Sequence, residues 1–269
     1  MRRTNVEKLV MTALMMALIT VVTAILPIPV PFTGEYIHLG DSMVFLAVII
    51  LGWKRGAVAA AVGSALADIL IGYVYWAPWT FFIKGGMALI LGLILYIASN
   101  TKVRSVITSV VIAVFWLAFN FGVQAIIRYE NVRDPSALIE GSGLSNAMEF
   151  GAFLNQIQSW LMIGALALPI LIIVTAIVMN RSKKQRVSLS QIMAMSGSGM
   201  FMVFGYYIAS GIIYGNFAIA AFSAPFNILQ FVVGFILATV VSVGLSKTPF
   251  KSKMEFYIHQ NTLAAAKTA

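Results

Sequence analysis

The chain has 269 residues, of which 60% are hydrophobic, 10% are charged and none is cysteine, and its net charge is +9. A soluble domain is about 45–50% apolar and about 25% charged, so this composition argues against a soluble enzyme, a DNA-binding domain or a disordered chain. The lack of cysteine excludes disulfides, thiolate metal sites and a cysteine nucleophile.

Apolar segments along the chain predict about eight helices that cross a membrane. Most have roughly the 20 residues that a bilayer span requires, and the second is shorter. The first follows a basic start without an obvious cleavage site, so we expect a retained helix rather than a signal peptide. The predicted spans are Val6–Leu26, Asp41–Gly52, Gly56–Tyr75, Trp79–Ser99, Ser105–Ile127, Gln158–Asn180, Ile192–Tyr214 and Pro225–Leu245.

Two connecting segments carry turn-forming residues and are predicted to be loops. The first, residues 28–40, contains Pro29, Pro31 and Gly34 and joins the first two spans. The second runs from Arg128 to Glu149 and is polar, with an Asp-Pro pair and a Gly-Ser-Gly run. Both loops fall on the side of the membrane opposite to the N-terminus.

The basic residues are distributed unevenly across the predicted topology. With the N-terminus in the cytoplasm, 15 of the 18 Lys and Arg residues lie on the cytoplasmic side. Arg128 and Arg133 lie outside, and Lys84 lies within a span. Cytoplasmic loops are enriched in Lys and Arg, so the sequence predicts that both termini are cytoplasmic. A lesser role of these residues is contact with anionic lipid.

Asp68 and Lys84 are the ionisable residues predicted to lie well inside spans. At 1.5 Å per residue, each is roughly 8–10 Å below the outer boundary, on neighbouring antiparallel helices. We therefore expect an ion pair, which either locks two helices together or also contacts a polar ligand. The chain shows no nucleophile–base pattern and no metal-ligand spacing, so an intramembrane enzyme is a weak alternative.

Polar and aromatic residues cluster at the predicted outer ends of the spans. The aromatic rings fit either a belt at the lipid interface or the wall of a ligand pocket. The polar groups that could orient a ligand there are Glu35, His38, Asp41, Asn227 and Gln230. Because they lie on one side, the pattern favours a pocket open to the outside over a continuous pore.

Several short segments, taken in their order along the chain, resemble the substrate-binding S components of energy-coupling factor (ECF) transporters. The resemblance covers about residues 6–100 and 190–246. The segments that carry it are Gly34–Asp41 (GEYIHLGD), Gly63–Asp68 (GSALAD), Thr80–Gly85 (TFFIKG), Gly205–Ala209 (GYYIA) and Pro225–Gln230 (PFNILQ).

The resemblance implies a six-helix membrane protein that binds a vitamin or vitamin precursor from outside. Such proteins dock on a transmembrane T subunit and two ATPase subunits. The Ala13 and Ala17 face of the first helix carries over as the docking surface, and the loop from Glu35 to Leu39 as a gate. The residues that the resemblance places at the ligand are Glu35, Tyr36, His38, Trp79, Thr80, Lys84, Tyr206, Tyr207, Asn227 and Gln230.

The chain departs from the family pattern by an inserted pair of spans. We therefore expect four segments. They are an S-component-like first half (1–100), the inserted helical pair with its outward polar loop (101–190), an S-component-like second half (191–246) and a basic cytoplasmic tail (247–269).

The sequence thus predicts an all-α polytopic protein of a prokaryotic cell membrane, the non-enzymatic substrate-binding subunit of an ECF-type importer. No Gly-x-x-x-x-Gly-Lys-Ser/Thr phosphate loop occurs in the chain, so energy would come from a partner, and no metal or cofactor is expected. A pyridoxine-like, riboflavin-like or thiamine-precursor-like ligand fits the aromatic mouth. The alternative is a proton-coupled secondary transporter using Asp68, which two inverted halves with broken helices would favour.

Overall fold

The computed structural model describes residues 4–30, 33–98, 102–144, 146–181, 189–254 and 256. It is almost entirely helical, and each predicted span corresponds to a helix, which confirms the all-α polytopic fold class. The helices are α1 (Asn5–Ala24), α2 (Gly40–Leu51), α3 (Trp53–Leu70), α4 (Ala77–Ala98), α5 (Lys102–Arg133), α6 (Pro135–Ser142), α7 (Ala147–Arg181), α8 (Leu189–Tyr214), α9 (Phe217–Ala220) and α10 (Ala224–Leu245). A 3-10 turn follows at Pro249–Lys253, and strands β1 (Ile28–Pro29) and β2 (Tyr36–Ile37) pair antiparallel.

The predicted count of eight spans is not confirmed. Within the described ranges, six helical segments are long and apolar enough to cross a membrane. They are Asn5–Ala24, Ala77–Leu95, Val106–Arg133, Ala147–Ile170, Ser190–Tyr214 and Phe217–Leu245. The second predicted span is the 12-residue helix α2, which at 1.5 Å per residue is shorter than the roughly 30 Å hydrocarbon core. Helix α2 is separated from α3 by Gly52, whose positive φ of 79° suits glycine.

The polar segment from Arg128 to Glu149 is mostly helical, so its prediction as a loop is wrong. Helix α5 continues to Arg133, and α6 begins directly afterwards. The Asp134 carboxylate accepts a hydrogen bond from the Ala137 backbone N–H (3.1 Å), and proline occupies the first turn of α6. Gly143 then ends α6 with a positive φ of 69°. The same residues that favour turns also cap helices, and here they cap one.

Helix α1 packs against α3 along one face. Its buried residues are Thr12, Met15, Ile19 and Thr23, at the three- and four-residue spacing of a helix face. A Cβ on Gly63 of α3 would lie 2.7 Å from the Met16 carbonyl oxygen, so this contact requires glycine. The Thr20 hydroxyl donates to the Gly63 carbonyl at 2.8 Å. Small residues therefore bring the two backbones together, as in other membrane helix pairs.

Helices α5 and α7 pack against each other and against α4, α8 and α10. The Trp116 indole N–H donates to the Gly164 carbonyl (3.1 Å) and joins α5 to α7. The Trp116 ring also meets Phe231 of α10 edge-on, with centroids 6.4 Å apart. The segment predicted as an insertion thus contributes to the same core, while the division of the chain at residues 100, 190 and 246 stays a prediction.

Candidate substrate-binding site

A small polar cavity lies where the ends of α3 and α8 meet the starts of α4 and α10, beneath the loop that contains β2. Its volume is about 20 Å³, close to the room that one water molecule needs. Seven of the ten residues predicted to bind a ligand line it, together with two others. The nine lining residues are Glu35, Tyr36, His38, Asp68, Trp76, Thr80, Tyr206, Asn227 and Gln230.

Three predicted binding residues lie outside the cavity lining. Lys84 is fully buried behind the cavity, Trp79 is half-buried, and Tyr207 is 5% exposed. The Tyr207 ring packs edge-on against Phe119 of α5, with centroids 5.5 Å apart. Consecutive helix residues point about 100° apart, which explains why Tyr206 reaches the cavity and Tyr207 faces α5.

Lys84 forms an ion pair with Asp41, and both side chains are fully buried. The ammonium also lies 5.0 Å from the centroid of the Tyr206 ring, within the range of a cation–π contact. The predicted pair of Lys84 with Asp68 is therefore replaced by Lys84–Asp41. Asp68 instead accepts a hydrogen bond from the Tyr36 hydroxyl. The equal depths of Asp68 and Lys84 in the membrane did not identify the partner of Lys84, because the carboxylate in contact with its ammonium is that of Asp41, at the start of α2.

Gln230 of α10 links the loop to this ion pair. Its Oε1 accepts from the His38 backbone N–H, and its Nε2 donates to Asp41 Oδ2, both at 2.9 Å. The Gly40 backbone N–H donates to His38 Nδ1 (3.0 Å), so the neutral imidazole carries its proton on Nε2. Burial, with the positive charge of Lys84 as a second cause, lowers the pKa of His38 to about 3. His38 is therefore uncharged at physiological pH.

Glu35 is a buried carboxyl in the loop, and each of its oxygens has a partner. One contacts the Ser210 hydroxyl, and the other accepts from the Asn227 amide at 3.0 Å. Ser210 Oγ also lies 2.8 Å from the Tyr206 carbonyl, to which it can donate. A hydroxyl has one proton, so if Ser210 donates to that carbonyl it accepts from a protonated Glu35. Burial raises the pKa of Glu35, which favours this protonated form.

Gly34 fastens the loop at its tip. Its carbonyl accepts from the Tyr75 hydroxyl and from the Trp76 indole N–H (2.7 Å), and its N–H donates to the Tyr214 hydroxyl (3.0 Å). A Cβ at Gly34 would lie 2.3 Å from the Tyr75 hydroxyl oxygen, so a larger residue would push the exposed Tyr75 side chain away from the loop. The loop is thereby tied to the α3–α4 connection and to the end of α8.

Sequence reasoning assigns Asp68 to an ion pair and misses Trp76 and Ser210 as parts of the site. Trp76 stands beside other aromatic residues, where a lipid-interface belt is an equally good interpretation. Ser210 lies one helical turn after Tyr206, and this spacing is the signal that could have identified it. Within the described residues, no group of three or more His, Cys, Asp or Glu side chains is placed to hold a metal ion.

Comparison with known proteins gives a family match over the first half of the chain. The family described as ECF-type riboflavin transporter, S component, matches residues 3–139, from α1 through α5 and into α6. An uncharacterised protein in the gap 3′ region of Pyrococcus woesei is 43% identical over 74 residues, which are 28% of this chain and 49% of that protein. The chain thus spans about half the length of this curated relative.

No solved structure matches the chain. The family match and the resemblance seen in the sequence cover different parts of the chain. The match continues beyond residue 100, where the first part of the resemblance ends, and does not include residues 190–246, its second part. It includes the α1 face, the loop with Glu35 to His38, and the Asp41–Lys84 pair. Because the match covers more than half of the 269 residues, this chain belongs to the family of ECF-type riboflavin transporter S components.

Proposed function

We propose that this chain captures a vitamin or vitamin precursor at the outer face of a prokaryotic cell membrane and delivers it through an ATPase module. The module consists of a transmembrane T subunit and two ATPase subunits, and the chain itself catalyses no reaction. The observation that carries the proposal is a polar, aromatic cavity closed by a loop, in a chain of the S component family. A pyridoxine-like, riboflavin-like or thiamine-precursor-like solute is the expected cargo.

The loop over the cavity supports a capture mechanism with a gate. Ligand pockets usually have about 300–1,000 Å³, whereas this cavity has about 20 Å³. A vitamin therefore enters only if the loop from Glu35 to Leu39 moves away. The loop is held largely by single hydrogen bonds from side chains, each worth about 1 kcal/mol in net terms. Such bonds can be exchanged for bonds to a ligand or to water without unfolding the helices beneath.

The exposed face of α1 supports docking on a partner helix. Ala13 and Ala17 are exposed, on the side of α1 opposite to Met15 and Ile19, which pack against the bundle. Small residues at four-residue spacing allow a second helix to approach closely. We therefore assign Ala13 and Ala17 to the contact with the T subunit.

Uptake with and without the ATPase module tests the proposal. Cells that contain this chain and the module should accumulate labelled vitamin, and cells with the chain alone should bind it without accumulation. Accumulation against a gradient by the chain alone would overturn the proposal. It would favour the alternative, a proton-coupled secondary transporter that uses Asp68.

A bulky residue on the α1 face tests the docking assignment separately. Ala13→Trp or Ala17→Trp should abolish uptake and leave vitamin binding by the purified chain unchanged. Ala125→Trp is the matched control, because Ala125 is also exposed but lies on α5. Unchanged uptake in both α1 variants would refute the docking surface and leave the binding function standing.

A further inference from the structure

The cavity has an uneven charge. Two of its lining residues, Glu35 and Asp68, are acidic, and none is Lys or Arg. The nearby cation, Lys84, is already in contact with the Asp41 carboxylate. His38 is neutral because burial lowers its pKa to about 3. A solute in the cavity therefore meets two carboxyl groups, and the one positive charge near them, that of Lys84, is shared between Asp68 and its ion-pair partner Asp41.

Asp68 leaves part of its carboxyl group free for a ligand. The side chain is 1% exposed, and one oxygen accepts from the Tyr36 hydroxyl. The other oxygen, Oδ2, is buried and has no hydrogen-bond partner in the part of the chain that the structure describes. The Thr80 hydroxyl accepts from Tyr206 at 3.1 Å and acts as a donor towards the Asp68 carboxyl, without coming close enough to Oδ2 to satisfy it. A buried acceptor of this kind, at the edge of a cavity, requires a donor.

Glu35 differs from Asp68, because both Glu35 oxygens have partners on α8 and α10. The carboxyl oxygen that stays available to a ligand in the closed site, among the described residues, is therefore Asp68 Oδ2.

The aromatic wall of the cavity adds an independent preference for positive charge. The rings of Trp76 and Tyr206 lie 6.0 Å apart, and Tyr36 packs on Tyr73 with centroids 4.5 Å apart. The faces of such rings attract cations, including those of ligands. The Lys84 ammonium makes such a cation–π contact with Tyr206, 5.0 Å from the centroid of the ring.

We propose that the solute carried by this chain has a positively charged nitrogen that binds Asp68. The class is a small aromatic heterocycle with an ammonium group or a cationic ring nitrogen. The inference rests on the proposed function and narrows it, because it separates cationic vitamins from neutral ones. It assigns Asp68 as the residue that determines this specificity.

Paired ligands that differ in charge test the inference on the purified full-length chain at pH 7. Pyridoxamine carries an aminomethyl cation where pyridoxine carries a hydroxymethyl group. Thiamine is permanently cationic and riboflavin is neutral. Calorimetric titration should give an affinity for the cationic member of at least one pair about tenfold or more above that for its neutral partner, as expected for a buried charged hydrogen bond.

Variants then assign the preference to Asp68. Asp68→Asn should bring the two affinities of a pair to within about twofold, since the amide retains shape but lacks the charge. Tyr36→Phe removes the hydrogen-bond donor and keeps the carboxylate, so the cationic preference should persist. Asp134→Asn is the control, because Asp134 is an exposed cap of α6 and asparagine caps equally well.

The outcomes separate this inference from the proposed function. Neutral members that bind as tightly as their cationic partners in both pairs overturn the inference and leave vitamin capture intact. A cationic preference that survives Asp68→Asn also overturns it. If Asp68→Asn does not fold, as judged by its ligand-free melting curve, the wild-type ligand pairs still decide. Failure of all four solutes to bind counts against the proposed function itself.

Discussion

Replacement of Lys84 by methionine removes the positive charge from the buried ion pair and nearly preserves the length of the side chain. Lys84 and Asp41 are both fully buried, so Lys84→Met leaves a carboxylate without its cation. Breaking a buried pair in this way costs about 3–5 kcal/mol. The pair of Lys253 with Glu7, whose side chains are 57% and 39% exposed, is worth about 0–1 kcal/mol. Lys253→Met is therefore the matched control.

A second substitution identifies the partner of Lys84. Lys84→Met with Asp41→Asn removes both charges, and an amide at position 41 still bonds to Gln230. Replacing both partners by neutral groups of similar shape is often close to neutral, so this double variant should recover most of the lost stability. Lys84→Met with Asp68→Asn should recover little, because Asp68 bonds to Tyr36 instead.

Unfolding of the ligand-free chain in mixed micelles, followed by tryptophan fluorescence, measures these free energies. The double-mutant cycle isolates the coupling of Lys84 with each aspartate. The reasoning is refuted if Lys84→Met is no more damaging than Lys253→Met. It is also refuted if Asp68→Asn, and not Asp41→Asn, restores stability.

Three further substitutions address the loop over the cavity and the helix packing. Burial raises the pKa of Glu35 above 4.5. The contribution of Glu35 to the closed loop is therefore fully present below about pH 4.5 and is lost as pH rises through the raised pKa. Ligand release, measured by stopped flow, should depend on pH in this way, and Glu35→Gln should flatten that dependence. Gly34→Ala places a Cβ 2.3 Å from the Tyr75 hydroxyl oxygen and should push this side chain off the Gly34 carbonyl, which weakens the attachment of the loop and speeds ligand release in the same assay. Gly199→Ala places a Cβ 1.9 Å from the Phe231 ring and should cost about 1–3 kcal/mol of unfolding free energy through overpacking of α8 on α10.

Two control substitutions accompany these predictions. Glu140→Gln alters an exposed carboxyl in α6 and should leave the pH profile of release unchanged. Gly151→Ala, where nothing lies within 4 Å of the added Cβ, should stabilise α7 by about 1 kcal/mol. A pH profile that survives Glu35→Gln, wild-type release kinetics in Gly34→Ala, or similar stabilities of the Gly199 and Gly151 variants would contradict the corresponding argument.

Much of the fold could be predicted because apolarity is a local property of the chain. Each of the eight predicted apolar segments corresponds to a helix. One prediction failed because the same residues can form a loop or can begin and end a helix. The Asp134-Pro135 step and Gly143 suit a loop, yet they also start and end helix α6. A second failure concerned length: the 12 residues of α2 are apolar enough for a membrane span but too few to cross the hydrocarbon core.

The position of the cavity could be predicted from the sequence, but the hydrogen bonds and ion pairs around it only in part. Polar groups in an apolar chain are costly unless they are satisfied together, so their clustering at one set of helix ends indicated a site. The choice between Asp41 and Asp68 for Lys84 depends on the rotation of each helix about its axis. That rotation is set by packing contacts such as Gly63 against Met16, which residue spacing alone does not reveal.

The bonds of the site fall into two groups: a buried ion pair between two helices, and weaker bonds that hold the loop above it. Lys84 and Asp41 belong to α4 and α2, and their charges are buried together, so separating them would cost several kcal/mol. The loop above is held mostly by single hydrogen bonds, including those of the Gly34 backbone and of Glu35, each worth about 1 kcal/mol. Opening of the loop, as proposed above, would therefore break these bonds one at a time and leave the ion pair in place. Gln230 bonds to both the His38 backbone and Asp41, so it joins the loop to the ion pair.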